Sequence, residues 1–258
     1  MSAISAASII ETDMQRAHRL LGEIYGYSAF RGQQAAVITD VLAGRDTLAI
    51  LPTGGGKSLC YQIPALVRDG VGLVISPLIA LMSDQVDTLK ALGVRAERLD
   101  SSMSFEDRQA ALRAARQGAM DLLYVSPEAL NGSLLSVLSG LPVNLIAIDE
   151  AHCVSQWGHD FRPDYRALGQ LREVFPGTVR LAVTATADAR TRADILEQLD
   201  LTKPAIHVAS FDRPNLTLSA EPKEGSRNVR IVSLIKGRNG QSGIVFAATL
   251  KATESLAD

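Results

Sequence analysis

The sequence has little cysteine, no long apolar run and no excess of either charge. Its two cysteines, Cys60 and Cys153, cannot build a disulfide framework or a four-cysteine zinc site. No apolar run approaches the roughly 18 residues of a membrane span, and no Lys or Arg precedes the short apolar stretch near the N-terminus, so neither a membrane helix nor a secretory signal is expected. The formal net charge of −2 argues against a protein that holds nucleic acid by bulk positive charge alone. We expect a soluble cytosolic protein without a membrane partner.

What is present is a regular alternation of short apolar runs and helical patterns. The 258 residues, 47% of them hydrophobic, suffice for one large domain or for one domain and part of another. The apolar runs are Thr47–Leu51, Val71–Ser76, Asp121–Ser126, Val143–Asp149, Val179–Thr184 and Ala205–Val208. Helical spacing of apolar residues marks Leu78–Leu92, Phe105–Arg116 and Ala187–Leu199. This pattern predicts an α/β fold with a parallel sheet covered by helices on both faces, which binds ligands at the carboxyl ends of its strands.

A domain boundary is expected soon after residue 210, where residues 211–215 and 221–225 are rich in turn formers. Beyond it, Val229–Ile235 has a helical pattern, Gly243–Ala248 resembles a buried strand, and Leu250–Ala257 resembles a helix. One strand and two helices cannot close a core of their own. We therefore predict a first domain over residues 1–210, and a linker with the truncated start of a second domain over 211–258.

The first chemical motif is a glycine-rich segment that follows the first apolar strand. Pro52–Ser58 reads Pro-Thr-Gly-Gly-Gly-Lys-Ser, and a helix is expected after it. Glycines let consecutive backbone N–H groups point at one phosphate, and a helix N-terminus adds partial positive charge. Lys57 would reach the β- and γ-phosphates and Ser58 would bind Mg²⁺, although Leu51 replaces the first glycine of the strict pattern. The predicted phosphate-binding residues are Thr53, Gly54, Gly55, Gly56, Lys57 and Ser58. A glycine-rich turn with a solvated lysine is the alternative.

The second motif is acidic. The apolar strand Val143–Ile148 ends in Asp149 and Glu150, at the edge of the sheet where Mg²⁺-ATP would lie. The first carboxylate is expected to hold the ion and the second to polarise the attacking water; a solvated turn is the alternative. Nearby His152, Cys153 and His159 resemble zinc ligands, but a fourth ligand at suitable spacing is missing, so zinc is not predicted.

Together with further segments, these motifs resemble superfamily 2 helicases, and specifically the RecQ family of DNA helicases. The resemblance extends over about residues 20–250. It rests on the order and spacing of the segments 21–34, 52–62, 76–85, 125–128, 149–165, 184–187 and 210–215, of which the aromatic stretch after Asp149-Glu-Ala-His152 is the most diagnostic. It implies a RecA-like nucleotide-binding domain in 1–210 and the start of a second RecA-like domain.

The resemblance assigns Tyr27, Arg31 and Gln34 to an adenine-recognition motif. A glutamine amide donates to and accepts from the adenine edge at once, while an aromatic ring and a planar guanidinium stack on the base. The family usually has Pro and Gly where this chain has Gly32 and Gln33, which loosens the loop slightly. For Tyr27 the alternative is a buried aromatic in a helix-capping loop.

The aromatic stretch is expected to contact nucleic acid. Trp157, His159, Phe161 and Arg162 match the family's aromatic-rich loop, whose rings would stack on unpaired bases and report DNA occupancy to Glu150. The alternative is that Trp157 and Phe161 belong to the core. Two further groups of residues match motifs of the family. The first group matches motifs that contact the phosphodiester track, and the alternative for it is plain strand ends with helix caps. The second group matches the motif that couples hydrolysis to domain movement. The residues of the first group are Ser76, Pro77, Ser126 and Glu128, and those of the second are Thr184 and Thr186.

The resemblance implies an ATP- and Mg²⁺-dependent 3′ to 5′ DNA helicase of RecQ type, acting in DNA repair or recombination. Its catalytic candidates are Lys57, Asp149, Glu150 and His152. We expect a monomer that works on single-stranded and forked DNA, with a single-strand-binding protein as a further partner and association with the nucleoid in a bacterium. The family's arginine finger belongs to a later part of the second domain, so this chain alone is expected to hydrolyse ATP slowly. An RNA-directed motor and a non-catalytic, ATP-switched nucleic-acid-binding module remain the alternatives.

Overall fold

A computed structural model describes residues 11–130, 132–157, 160–210, 216–217, 219–220, 222, 227–238 and 240–257 of the chain. The chain divides into two compact units, Met1–Phe211 and Asp212–Asp258, and each is described by itself. Within the described ranges, no helix is long and apolar enough to cross a membrane.

The first unit is built on a seven-stranded parallel sheet with the strand order β3-β4-β2-β5-β6-β1-β7. Its strands are β1 (Thr47–Ile50), β2 (Val71–Ile75), β3 (Ala96–Leu99), β4 (Leu122–Val125), β5 (Val143–Ile148), β6 (Arg180–Thr184) and β7 (Ala205–Val208). All six apolar runs form strands. The strand β3 was missed by the sequence pattern because its sequence, Ala-Glu-Arg-Leu, is half charged, which an edge strand tolerates.

Helices cover both faces of this sheet, so the predicted α/β fold class is confirmed. They are α1 (Asp13–Tyr25), α2 (Gln34–Leu42), α3 (Leu59–Val67), α4 (Ile79–Ala91), α5 (Phe105–Arg116), α6 (Gly132–Leu138), α7 (Pro163–Arg166), α8 (Leu171–Val174) and α9 (Ala189–Gln198), with 3₁₀ turns at Pro127–Ala129, Ala151–Val154 and Ala167–Gln170. Successive strand residues enter opposite cores: Leu48 and Ile50 pack in one cluster, Ala49 and Leu51 in the other. Because both faces are buried, the strands are apolar throughout rather than alternating.

A third apolar cluster joins the three N-terminal helices. Ala17 and Leu21 of α1 pack against Ile38 of α2 and Ile63 of α3. Helix α1 begins at a capping box, in which the Thr12 hydroxyl accepts from the Gln15 backbone N–H and the Gln15 side chain accepts from Thr12 N–H. This packing fixes the segment between α1 and α2 beside the carboxyl end of β1.

The strand order decides which side chains meet at the carboxyl edge of the sheet. Residues that follow neighbouring strands hydrogen-bond across this edge: Asp149 N–H donates to Ile75 O at 2.8 Å, and Leu51 N–H donates to Thr184 O at 3.0 Å. Strand β6 lies between β5 and β1. Thr184 at the end of β6 is therefore flanked by the acidic motif on one side and by the glycine-rich segment on the other.

The second unit contains α10 (Arg227–Lys236) and α11 (Leu250–Ala257), as the helical patterns indicate. The predicted strand Gly243–Ala248 is wrong, since residues 241–247 have no regular structure. Ile244 and Phe246 are 82% and 89% exposed rather than buried. A strand needs a neighbour for its backbone hydrogen bonds, and the described part of this unit has no other strand.

Candidate nucleotide and nucleic-acid site

The glycine-rich segment forms a tight loop between β1 and α3 that only glycine fits. Gly54 and Gly56 have φ values of 79° and 70°, which L-residues rarely adopt. A Cβ on Gly55 would lie 2.8 Å from Pro52 O, and one on Gly56 would lie 2.2 Å from Gln34 Nε2. Within the described residues, the backbone N–H groups of Gly56, Lys57 and Ser58 donate to no protein acceptor. Donors grouped at the start of a helix, beside a lysine, fit a phosphate.

Gln34 braces this loop, a role that the sequence did not reveal. Its side chain is buried, and Nε2 donates to Gly55 O at 3.3 Å and to Gly56 O at 3.1 Å. Its Oε1 accepts from Arg31 N–H at 2.8 Å. Both ends of the amide are thus engaged by the backbone, and contact between Gln34 and adenine stays a prediction.

A pocket of about 240 Å³ opens beside the loop. Its lining includes Tyr27, Arg31, Gln34 and the three glycines of the loop. The Arg31 guanidinium carbon lies 5.3 Å from the centroid of the Tyr27 ring, and this ring is 44% exposed rather than part of the core. Gln33 also lines the pocket and its Nε2 donates to Val208 O at 3.0 Å, which ties the loop to β7. An exposed ring with a stacked guanidinium at the pocket mouth suits a purine base.

Asp149 is buried at the end of β5. Burial raises the pKa of its carboxyl group to about 6; the neighbouring Glu150 carboxylate adds to the shift, while Lys57 opposes it. The Tyr165 hydroxyl donates to Asp149 O at 2.8 Å and fixes the backbone. A buried carboxylate beside a second one is costly as an anion, and a divalent cation would remove that cost. The donor set therefore fits Mg²⁺, with Ser58 as the second candidate ligand.

Glu150 has a left-handed backbone with φ 46°, a strained conformation for a residue other than glycine. Its carboxylate lies 3.2 Å from His152 Nδ1, and this contact with His152 lowers the pKa of Glu150 although burial opposes the shift. His152 Nδ1 also lies 2.8 Å from Thr184 Oγ1. Because the Thr184 hydroxyl donates to Thr186 O at 3.2 Å, we infer that Nδ1 carries the hydrogen of the His152–Thr184 bond.

Of the three residues considered as zinc ligands, the structure describes His152 and Cys153. One ligand atom each of His152, Cys153 and Asp160 lies within 4.8 Å of the others, so Asp160 joins the set that the sequence suggested. Burial raises the pKa of the Cys153 thiol to about 12, which disfavours the thiolate that a metal would require. His159 lies outside the described residues.

The loop after the acidic motif exposes its tryptophan. Trp157 is 61% exposed, which argues against the alternative of a core residue. Phe161 is half-buried, with the Arg166 guanidinium carbon 5.3 Å from its ring centroid. The Arg162 side chain turns inward instead, donating from Nη1 to Pro77 O at 3.0 Å. It thereby joins the aromatic loop to the segment that follows β2.

The residues matched to the phosphodiester track are mostly buried. Ser76, Pro77 and Ser126 are buried, whereas Glu128 is exposed. Of the two residues matched to the coupling motif, Thr184 is buried and Thr186 is exposed. The Ser126 carbonyl accepts from Ala129 N–H at 3.0 Å and begins the 3₁₀ turn Pro127–Ala129, but the Ser126 hydroxyl makes no cap hydrogen bond. Among the described residues the buried Ser76 hydroxyl has no hydrogen-bond partner, and contact of these residues with DNA stays a prediction.

Comparison with known proteins agrees with this geometry. A family model described as DEAD/DEAH box helicase matches residues 31–195. The ATP-dependent DNA helicase RecQ of Pasteurella multocida is 46% identical over 245 residues, covering 95% of this chain and 39% of that protein. The probable ATP-dependent DNA helicase RecS of Bacillus subtilis is 42% identical over 248 residues, covering 95% of this chain and 49% of that protein. The resemblance to RecQ helicases is confirmed, and the chain spans less than half the length of these relatives.

A solved structure shares the fold. The DUF1998 helicase MrfA, in a crystal structure bound to DNA and AMPPNP, matches with a TM-score of 0.73 over 96% of this chain and 37% of that chain. The identity is 20%, so the match supports the RecA-like helicase fold and carries nothing about ligands.

Proposed function

The chain belongs to the DEAD/DEAH box helicases, and on this premise we propose that it is the ATP-binding part of a RecQ-type 3′ to 5′ DNA helicase. We assign residues 1–210 to the first RecA-like motor domain and residues 211–258 to the linker and the start of the second.

One observation carries the proposal: the order of strands at the carboxyl edge of the sheet. Strand β6 separates β1 from β5, so a phosphate cradle and a pair of carboxylates flank the single residue Thr184. Lys57 lies close enough to both carboxylates to oppose the rise in the pKa of Asp149 and to add to the lowering of the pKa of Glu150. A lysine, backbone N–H donors and a carboxylate pair at the end of a parallel sheet are the parts that ATP hydrolysis requires.

This geometry supports the following residue roles. The loop N–H groups and Lys57 bind phosphate oxygens, and the stacked Tyr27 and Arg31 accept the base. Mg²⁺, held by Ser58 and Asp149, would neutralise charge on the phosphates. Glu150, whose pKa the contact with His152 lowers, orients a water molecule and accepts its proton.

The nucleic-acid partner is proposed from the exposed loop and from the relatives. Trp157 presents a large ring to solvent, as a sequence-tolerant stacking platform requires. The RecQ and RecS relatives are named DNA helicases. We therefore assign single-stranded and forked DNA as the substrate, with a single-strand-binding protein as a further partner.

The test measures ATP binding and Mg²⁺-dependent phosphate release, each with and without oligothymidine. We expect ATP binding in the wild-type chain, faster phosphate release with DNA, and loss of both binding and release in Lys57→Ala. ATP binding with phosphate release no faster than in Lys57→Ala, with or without DNA, would favour a nucleotide-switched module. Stronger stimulation by oligouridine than by oligothymidine would favour an RNA-directed motor.

A further inference from the structure

The exposed Trp157 is stacked against an arginine that the sequence motifs did not single out. The guanidinium carbon of Arg190, in the first turn of α9, lies 3.3 Å from the centroid of the indole ring. Both residues are exposed, and Trp157 retains 61% exposure although Arg190 covers one face of its ring. The opposite face is therefore open to a planar ligand.

The guanidinium of Arg190 has donors to spare. Within the described residues, no carboxylate lies within 4.0 Å of it and no hydrogen bond from its side chain is seen. The acidic group nearest in sequence, Asp188, accepts from Thr191 N–H at 2.7 Å as the cap of α9, and Arg190 acts on it through its backbone and its charge. Arginine stacks on rings with its face while its edge carries N–H donors. Arg190 thus presents a positive edge beside an open aromatic face.

A second contact fixes the aromatic loop to the same helix. The Ser155 hydroxyl donates to Asp194 Oδ2 at 2.6 Å, and Ser155 is fully buried. Trp157 N–H donates to the same Ser155 oxygen at 3.3 Å. Arg190 and Asp194 are four residues apart and share one face of α9. The tryptophan is therefore held on α9 at two points, through its backbone and through its ring.

The same helix leads directly to the hydrolysis site. It begins shortly after the segment Thr184–Thr186, and Thr184 Oγ1 lies 2.8 Å from His152 Nδ1. A ligand that moved the Trp157–Arg190 pair would act on a helix that packs against the 3₁₀ turn Ala151–Val154, which directly follows the acidic pair.

We propose that Arg190 and Trp157 form a single composite binding site for one nucleotide of the strand. The base stacks on the open face of the indole, and the guanidinium edge binds the phosphate next to that base. This inference rests on the proposed function, since it needs a single-stranded nucleic acid as ligand. Planar recognition of a phosphate by arginine, combined with base stacking on an aromatic ring, is the usual chemistry of single-strand binding.

The experiment uses the fact that Trp157 is the only tryptophan of the chain, so its emission reports on this site alone. Binding of oligothymidine is measured by Trp157 emission and by fluorescence anisotropy of a labelled strand, over a series of salt concentrations. The variants are Arg190→Ala and Arg190→Lys. The matched control is Arg192→Ala, because Arg192 lies on the same helix but donates from Nε to Asp188 O of its own helix at 3.3 Å.

We expect Arg190→Ala to shift Trp157 emission without DNA, to weaken oligothymidine binding about tenfold, and to reduce the slope of log affinity against log salt by about 0.7, the value for one phosphate contact on a single strand. Arg190→Lys should keep the slope and lose part of the affinity, while Arg192→Ala should match the wild type. Arg190→Lys decides the question if Arg190→Ala does not fold.

Two outcomes would overturn the proposal. An emission shift with unchanged affinity and slope in Arg190→Ala would mean that Arg190 only packs on the ring. An Arg190→Lys variant equal to the wild type in emission and affinity would mean that binding at this site does not need the planar guanidinium. Failure of the wild-type chain to bind oligothymidine would instead remove the proposed DNA function.

Discussion

Glu150 combines a strained backbone with a carboxylate of lowered pKa. With its φ of 46°, its carboxylate lies 3.2 Å from His152 Nδ1, and this contact lowers the pKa of the carboxyl group. Its neighbour Asp149 is shifted in the opposite direction, with a pKa of about 6, chiefly because it is buried. Two adjacent carboxylates with divergent pKa values are suited to different tasks, metal binding for one and proton transfer for the other.

Glu150→Gln separates these tasks. The amide keeps the size of the side chain and an oxygen that accepts from His152, but it cannot take a proton. We expect ATP binding close to wild type and phosphate release reduced by ~10²–10⁴, measured by nucleotide titration and single-turnover hydrolysis. Loss of nucleotide binding in a folded variant would show that Glu150 is structural, and the base would have to be sought elsewhere.

Gly56→Ala tests whether the loop depends on its contact with Gln34. The added Cβ would lie 2.2 Å from Gln34 Nε2, so the brace or the loop must shift, and we expect nucleotide affinity to fall at least tenfold. The control is Gly93→Ala, since Gly93 has a φ of 80° but a Cβ added there would meet no atom within 4 Å. Equal nucleotide affinity in the two variants would mean that the brace is dispensable.

At the scale of elements, the hydrogen bond between Thr184 and His152 connects the end of strand β6 to the turn that follows the acidic pair. Thr184→Val keeps the shape of the buried side chain but removes the hydroxyl that lies 2.8 Å from His152 Nδ1. We expect ATP affinity to change little and phosphate release to fall about tenfold, because His152 no longer holds Glu150 in one position. Thr184→Ser should restore the rate. If the Ser variant is as slow as the Val variant, the methyl group and not the hydroxyl matters.

The elements show which features a sequence can reveal. The six apolar runs were found because a doubly covered sheet buries every residue of its inner strands, whereas β3 was missed because an edge strand with Glu97 and Arg98 has no such signal. The segment Gly243–Ala248 was mistaken for a strand because an apolar run does not reveal whether a neighbour is present.

The functional residues also differ in how far the sequence predicts them. The phosphate loop and the acidic pair follow from local spacing. The brace by Gln34 and the stack of Arg190 on Trp157 join residues 21 to 33 positions apart and depend on tertiary packing, to which no short motif refers.

At the scale of the whole molecule, the sheet is fixed at the end opposite to the site. Asp46, just before β1, is buried and accepts from Arg180 N–H and Thr202 N–H, each at 2.9 Å, and from the Arg172 guanidinium. Arg180 is fully buried, and burial, helped by the nearby Arg172, lowers its pKa to about 10. These partners lie 126 to 156 positions from Asp46. One carboxylate therefore connects β1, β6, α8 and the segment before β7.

Asp46→Ala should consequently destabilise the whole first unit without touching the nucleotide site. Removing the carboxylate breaks its ion pair with Arg172 and leaves the backbone N–H groups of Arg180 and Thr202 without their acceptor. A buried donor left unsatisfied costs about 1–3 kcal/mol. Urea unfolding followed by circular dichroism would measure the change in the free energy of unfolding. The matched control is the adjacent Arg45→Ala, whose ion pair with Asp40 is exposed at the arginine and is worth about 0–1 kcal/mol. If the two variants unfold at the same urea concentration, Asp46 is not the residue that connects these elements, and the stability of the sheet comes from its apolar faces alone.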